Sequence, residues 1–157
     1  MKTNYDVIVV GGGINGVGLS LDLGSRGFSV CCVEQNAFGS GASSNTSKLV
    51  HGGLRYLEYG HLSLVKESLK EQAILLKIAS KYVKSLPFYL PCYKGIGKPT
   101  WKLNMGLKLY DALFKRKLNK HQVLSREKVW ALFEPFGLRE EGLLKGFQFY
   151  DALMDDL

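Results

Sequence analysis

The chain has 157 residues, 46% hydrophobic and 22% charged, with 18 glycines, 4 prolines and 3 cysteines; this is the composition of an ordinary globular protein. It excludes a disordered tail, a collagen-like repeat and a disulfide-built mini-protein. The formal charge of +7 is concentrated between Lys94 and Lys120, where Lys94, Lys98, Lys102, Lys108, Lys115, Arg116, Lys117 and Lys120 face a single acid, Asp111.

Apolar runs such as Val7–Val10 stop far short of the ~20 residues of a spanning helix. The opening Met1–Asp6 stretch leaves no room for a secretory signal, so a cytoplasmic chain is expected. Cys31 and Cys32 are adjacent and Cys92 is remote, a spacing that fits neither a zinc site nor a disulfide framework, so three reduced thiols are expected and no metal.

In chain order, Tyr5–Val10 is a β-branched run closed by three glycines and predicts a buried parallel strand. Ile14 to Arg26 predicts a helix packing through Ile14, Val17, Leu21 and the Leu23 side. Phe28–Glu34 predicts a second strand. Strand, glycine turn, helix and strand within about 30 residues is the opening βαβ unit of a doubly wound sheet. Ala37–Asn45 is a loop by composition. From Leu62 to Ala79 the residues Leu62, Val65, Leu69, Ala73, Leu76 and Ala79 recur at spacings of three and four and predict a helix, with Lys66, Glu67, Lys70 and Glu71 on its wet side.

Beyond it, Pro87 and Pro91 bracket an extended or edge segment. Pro99 opens a helix expected to reach about Lys117, Ser125 caps another around Val129–Phe133, and Leu143–Met154 can form a strand. No internal repeat is found. The fold class is therefore α/β, with a Rossmann-like βαβ start followed by helices. Two parallel strands cannot by themselves close a nucleotide crevice, so the sheet is incomplete in this chain. Either the fold is an unusual small one, or the chain is the first part of a longer protein.

The chemistry begins at Gly11, Gly13 and Gly16, a G-x-G-x-x-G pattern placed after a strand and before a helix. In that context Gly11 permits the tight turn, Gly13 lets the backbone approach a pyrophosphate, and Gly16 lets helix and strand pack closely. The helix N-terminus adds N–H donors and partial positive charge. Glu34 ends the second strand, where a carboxylate accepts hydrogen bonds from both ribose hydroxyls of an adenosine and disfavours a 2′-phosphate. This fingerprint serves NAD and FAD alike. The hydroxyl-rich loop leading to Gly52 and Gly53 could wrap a pyrophosphate and reach a flavin ring.

The run Asp6–Gly16 and, more specifically, Ser47-Lys-Leu-Val-His-Gly-Gly-Leu-Arg-Tyr-Leu-Glu58 resemble FAD-dependent glycerol-3-phosphate dehydrogenase, within the glutathione-reductase-like flavoprotein group. The resemblance continues through Leu86–Pro91, the Trp101–Leu113 segment ending in Leu-Tyr-Asp-Ala-Leu, and Gly146–Asp156, and so spans nearly the whole chain.

It implies a discontinuous FAD-binding domain, its first part at 1–86, interrupted by a substrate or cap region beginning at 87–157 with a basic helical segment. Gly11, Gly13, Ile14, Asn15 and Gly16 would hold the FAD pyrophosphate, and Glu34 with Gln35 the ribose. Ser43, Ser44, Ser47, Lys48 and Leu49 would follow the flavin side, with His51, Gly52 and Gly53 near the isoalloxazine. Arg55 and Tyr56 would line the substrate pocket, a guanidinium suiting a phosphate dianion. For His51 a structural hydrogen-bonding role is preferred to proton transfer.

The implied reaction is oxidation of sn-glycerol 3-phosphate to dihydroxyacetone phosphate by hydride transfer to flavin, with electrons passing to a quinone, or to oxygen in the oxidase branch. No catalytic base is identifiable in the chain, which is expected to be an N-terminal portion, inactive alone. The resemblance also suggests peripheral attachment to the inner face of the membrane, the basic 94–120 stretch meeting anionic lipid; a homo-oligomer is compatible with it.

Three alternatives stand beside this reading. Another flavin-dependent amine or hydroxy-acid oxidase shares the glycine fingerprint but not the Lys48–Tyr56 run. A nucleic-acid-binding module would use the basic stretch with Trp101, Tyr110 and Phe114 as stacking groups; it is disfavoured because these aromatics share helical spacing with Leu103, Leu107 and Leu113. A solvated helix accounts for the same charges with no partner at all.

Overall fold

The computed structural model describes residues 4–113 and 120–155. The chain divides into two compact units, residues 1–47 and 48–157.

In the first unit the strands β1 (Val7–Val10) and β2 (Val30–Val33) pair in parallel, Val7 opposite Val30 and Val10 opposite Val33. Helix α1 (Ile14–Ser25) connects them, so the predicted βαβ unit is present. One face of β1 turns Val9, 6% exposed, toward the helix; the alternate residues Ile8 and Val10 are 64% and 85% exposed, as a period of two requires. No residue of α1 is buried. Ile14, Val17 and Leu21, expected to pack, are exposed, because a two-stranded sheet offers one narrow strip for a helix to cover.

The second unit has its own core. Strand β6 (Leu143–Met154) is its spine. Antiparallel to it run β3 (Leu49–Val50), β4 (Val83–Tyr93) and β5 (Gln122–Leu124). β4 lies along one side and the short β3 and β5 along the other. Pro87 and Pro91 thus sit in an outer strand, where a missing N–H costs least. β4 runs through the 86/87 position without a break.

Helices α2 (Leu62–Ile78), α3 (Thr100–Leu113) and α4 (Arg126–Phe133) pack on this framework. Three clusters fill it: Val65, Leu69 and Tyr110; Cys92, Leu107 and Phe147; and Leu124, Val129 and Leu143. Ser125 caps α4, its hydroxyl accepting the Lys128 N–H at 3.4 Å. The expected extension of α3 to Lys117, together with Phe114, Lys115 and Arg116, lies outside the described residues. So does the terminal pair 156–157. Among the described residues no helix is long and apolar enough to cross a membrane, and all three cysteines are free.

The short β3 and β5 and a 3-10 helix over Leu54–Tyr59 were not expected from the sequence. None is long enough to show a period. Tyr110, offered as a stacking group, is fully buried, whereas Trp101 is 61% exposed. The two do not share an outer face, so Tyr110 is not placed to stack on a base; Phe114 lies outside the described residues.

Candidate functional site

In the first unit the glycine turn is held by hydrogen bonds rather than by a core. Gly11 adopts φ +103°, open to glycine and strained for other residues, and its N–H donates to the Val33 carbonyl at 2.8 Å. At Gly16 a Cβ would overlap the Gly11 carbonyl oxygen, which is the physical content of close helix–strand approach. A Cβ on Gly13 would stand 3.2 Å from Ser43 Oγ.

Two donors of this turn already hold side-chain oxygens: the Gly12 N–H donates to Glu34 Oε2 at 2.6 Å and the Ile14 N–H to Ser43 Oγ at 2.9 Å. Glu34 Oε1 also accepts from Asn36 N–H at 3.1 Å. These backbone bonds, Gly12 foremost, hold the Glu34 carboxyl below the usual glutamate range.

Of the sequence-predicted residues, Gly11, Gly13, Ile14, Gly16, Glu34 and Ser43 are therefore gathered around one turn, with Asn15 exposed in the first turn of α1. Gln35 and Ser47 are exposed, and Ser44 Oγ donates to the Ser40 and Gly41 carbonyls within its own loop. Phe38, not anticipated, lies where a Cβ on Gly12 would stand.

In the second unit the remaining predicted residues converge. Lys48 holds φ +57°, an unusual backbone for a non-glycine residue, and its carbonyl accepts the Met154 N–H at 2.7 Å. Directly after it, Leu49, His51, Gly53, Arg55 and Tyr56 line a cavity of about 790 Å³ together with Tyr59, His61, Phe88, Phe149 and Asp151. Phe88 and Phe149 stack at 5.5 Å and form an apolar wall. Gly53, at φ +71°, begins the 3-10 helix that presents Arg55 and Tyr56. Both side chains are exposed to the cavity, and among the described residues no carboxylate pairs with Arg55. Glu58, at the end of the motif, pairs with Lys98 instead.

Gly52 lies beneath this surface. A Cβ there would overlap Leu69 and the Tyr110 hydroxyl. Its N–H is shared between Tyr110 Oη at 3.1 Å and Asp151 Oδ1 at 3.2 Å. Gln72 Nε2 donates to Asp151 Oδ1 and to the Val50 carbonyl. Burial pushes the Asp151 carboxyl up, opposed by the bonds from Gln72 and Gly52. Burial, then the Asp151 charge, pushes the Tyr110 phenol up. Gln72, Tyr110 and Asp151 were not singled out as site residues. The available signal was a Gln within the apolar stripe of α2, 3% exposed in the structure.

A parallel strand, a glycine turn with a left-handed first residue, a helix packed through Gly16, and a strand-end carboxylate beside the turn form a dinucleotide-binding start. Residues 6–157 match the FAD dependent oxidoreductase family. The chain belongs to that family, whose cofactor is FAD.

Within it, the chain is 41% identical over 155 residues to a glycerol-3-phosphate dehydrogenase of Synechocystis, covering 98% of the chain and 28% of the relative. It is 39% identical over 153 residues to a D-erythritol 1-phosphate dehydrogenase of Brucella abortus, covering 96% and 29%. The chain thus spans under a third of the length of these curated relatives. Among solved structures, L-alpha-glycerophosphate oxidase from Mycoplasma pneumoniae with FAD bound superimposes with a TM-score of 0.69 at 18% identity, covering 96% of this chain and 39% of that one. L-proline dehydrogenase from P. horikoshii gives 0.62 at 16% identity, covering 98% and 39%. At such identities the likeness is one of fold.

Proposed function

We propose that this chain supplies the first FAD-binding elements and part of the substrate pocket of an enzyme that oxidises sn-glycerol 3-phosphate to dihydroxyacetone phosphate and passes electrons to a quinone. The observation that carries the reading is the single cavity into which the run Leu49–Tyr56 brings His51, Arg55 and Tyr56. The donor set of the glycine turn fits the cofactor: its N–H groups already hold a carboxylate and a hydroxyl oxygen, and a pyrophosphate asks for the same donors.

In this reading Gly11, Gly13, Ile14, Asn15 and Gly16 hold the pyrophosphate, Glu34 and Gln35 the ribose. Ser43, Ser44, Ser47, Lys48 and Leu49 continue along the cofactor, with His51, Gly52 and Gly53 at the ring. When bound, the flavin supplies the hydride acceptor. The chain's own residues bind and orient. Arg55 grips the phosphate dianion through paired hydrogen bonds, a geometry a guanidinium favours. Tyr56 packs alongside, and Phe88 with Phe149 excludes water from one wall, which strengthens the charge contacts inside. His51 orients the substrate hydroxyl by hydrogen bonding.

A longer phosphorylated polyol is the second reading, favoured by the 39% identical erythritol-phosphate relative. The exposed Trp101 and Met105 beside Lys98, Lys102 and Lys108 on and before α3 support attachment to anionic lipid.

The test is anaerobic titration of the FAD-loaded enzyme, to which this chain is proposed to contribute, with sn-glycerol 3-phosphate, erythritol phosphate and unphosphorylated glycerol, read as bleaching near ~450 nm. Bleaching by glycerol 3-phosphate, weakened at least tenfold by Arg55→Lys, supports the proposal. Bleaching by unphosphorylated glycerol alone, or by none of the three, overturns it.

A further inference from the structure

The two peptide units that flank His51 are each tied to the same buried cluster. The unit before it carries the Val50 carbonyl, which accepts from Gln72 Nε2. The unit after it carries the Gly52 N–H, which donates to Tyr110 Oη and Asp151 Oδ1. Fixing both peptide planes fixes both backbone torsions of His51, and with them the direction in which its side chain leaves the chain. That side chain is exposed and lines the cavity.

The cluster is built for rigidity. Gln72, Tyr110 and Asp151 are 3%, 0% and 7% exposed and come from α2, α3 and β6. Tyr110 Oη lies 3.3 Å from both Asp151 oxygens, and Gln72 also donates to Asp151. Among the described residues no buried side-chain nitrogen or oxygen lacks a partner. Satisfied buried networks of this kind hold one arrangement, since any other strands a polar group. Tyr110 and Asp151 stand in the two Tyr-Asp-Ala-Leu segments, 110–113 and 150–153, and the fold brings the tyrosine of one to the aspartate of the other.

We infer that Gln72, Tyr110 and Asp151 are positioning residues that clamp the Val50–Gly52 backbone from beneath and thereby aim the His51 side chain at the bound flavin. This rests on the proposed function for the statement that the turn meets the flavin; the clamp itself rests on geometry alone. Asp151 lines the cavity floor as the anchor of the turn, with its oxygens engaged by Gly52, Gln72 and Tyr110.

The test uses the full ¹⁵N-labelled chain, with amide hydrogen exchange read residue by residue for wild type, Asp151→Ala, Asp151→Asn and Tyr110→Phe, each with and without FAD. Asp151→Ala is expected to speed exchange at Gly52 at least tenfold while the β4–β6 amides of Leu90 and Phe147 change less than twofold. Asp151→Asn, which keeps an acceptor oxygen in place, restores most of the protection. Tyr110→Phe keeps the core filled and speeds Gly52 exchange several-fold, so the clamp is tested even where Asp151→Ala fails to fold. FAD is expected to shift the His51 and Gly52 resonances of wild type, and less so in the variants.

Unchanged Gly52 exchange in every folded variant, or equal acceleration at Gly52, Leu90 and Phe147, overturns the clamp. If the clamp behaves as described but FAD leaves His51 and Gly52 unmoved in wild type, the proposed flavin site fails, and with it the positioning role.

Discussion

The two units reach order by different means. Among the described residues, those of 48–157 bury three apolar clusters around the long antiparallel pair β4 and β6. Residues 1–47 bury one apolar side chain among those described, Val9, and leave Ile8, Val10, Ile14 and Leu21 exposed. Yet the glycine turn keeps a specific geometry, because backbone hydrogen bonds to Val33, Glu34 and Ser43 shape it. A glycine turn is specified by local donors and missing Cβ atoms; a cavity needs packed walls. The same contrast appears in the two carboxylates that anchor each turn. Glu34 sits near the surface, held low by N–H donors, whereas Asp151 is buried and pushed up.

The largest effect should come from Phe147→Ala, which empties the centre of a cluster that also holds Cys92 and Leu107. A loss of about 3–5 kcal/mol is expected by denaturant titration, with exchange protection lost across β4 and β6 but not at the Gly11 N–H. If both units lose protection together, the contrast between them is wrong.

Gly52→Ala follows. Its Cβ would overlap Leu69 and the Tyr110 hydroxyl, and such overpacking costs about 1–3 kcal/mol. The same change at Gly18, where a Cβ would meet nothing within 4 Å, should be neutral or slightly stabilising, since Ala is the better helix former.

The carboxylates sharpen the comparison by pH. Glu34 is held low in the folded chain, so its contribution is present above the usual glutamate range and is lost as pH falls through the lowered value. Asp151 is raised, so its contribution is full below the usual aspartate range and is lost as pH rises through the raised value. Denaturation measured between roughly pH 3 and 7 should therefore show the acid-side loss reduced by Glu34→Gln, with Glu127, also held low, contributing the remainder, and the loss with rising pH abolished by Asp151→Asn. One variant abolishing both would show that the two anchors are not separate.

The smallest effect is expected at Val10→Ser, within about 0.5 kcal/mol, because this side chain is 85% exposed. A larger loss would mean that the second face of the parallel pair is covered.

Much of this was legible in the sequence, and unevenly. The βαβ start was readable because glycine spacing, strand run and strand-end acid agree at every level, and α2 because its apolar period is long. Tyr110 was not: its spacing within α3 showed that it belongs inside, but not that its hydroxyl meets Gly52, 58 residues earlier. Gln72 shows the same limit. A polar residue in an apolar stripe signals a buried partner without naming it, since Asp151 lies 79 residues away. The outward turn of Ile14, Val17 and Leu21 escaped the periodicity argument because period tells which residues share a face, not whether anything covers it.

The most direct test of the central claim, that the glycine turn is the FAD site, is equilibrium retention of FAD by wild type and by Gly16→Ala, read from flavin absorbance with the cofactor identified after release. The account predicts retention by wild type and at least a tenfold loss in the variant, whose Cβ would overlap the Gly11 carbonyl, with the second unit's exchange protection unchanged. Equal retention by both chains, or no retention by wild type, would contradict it.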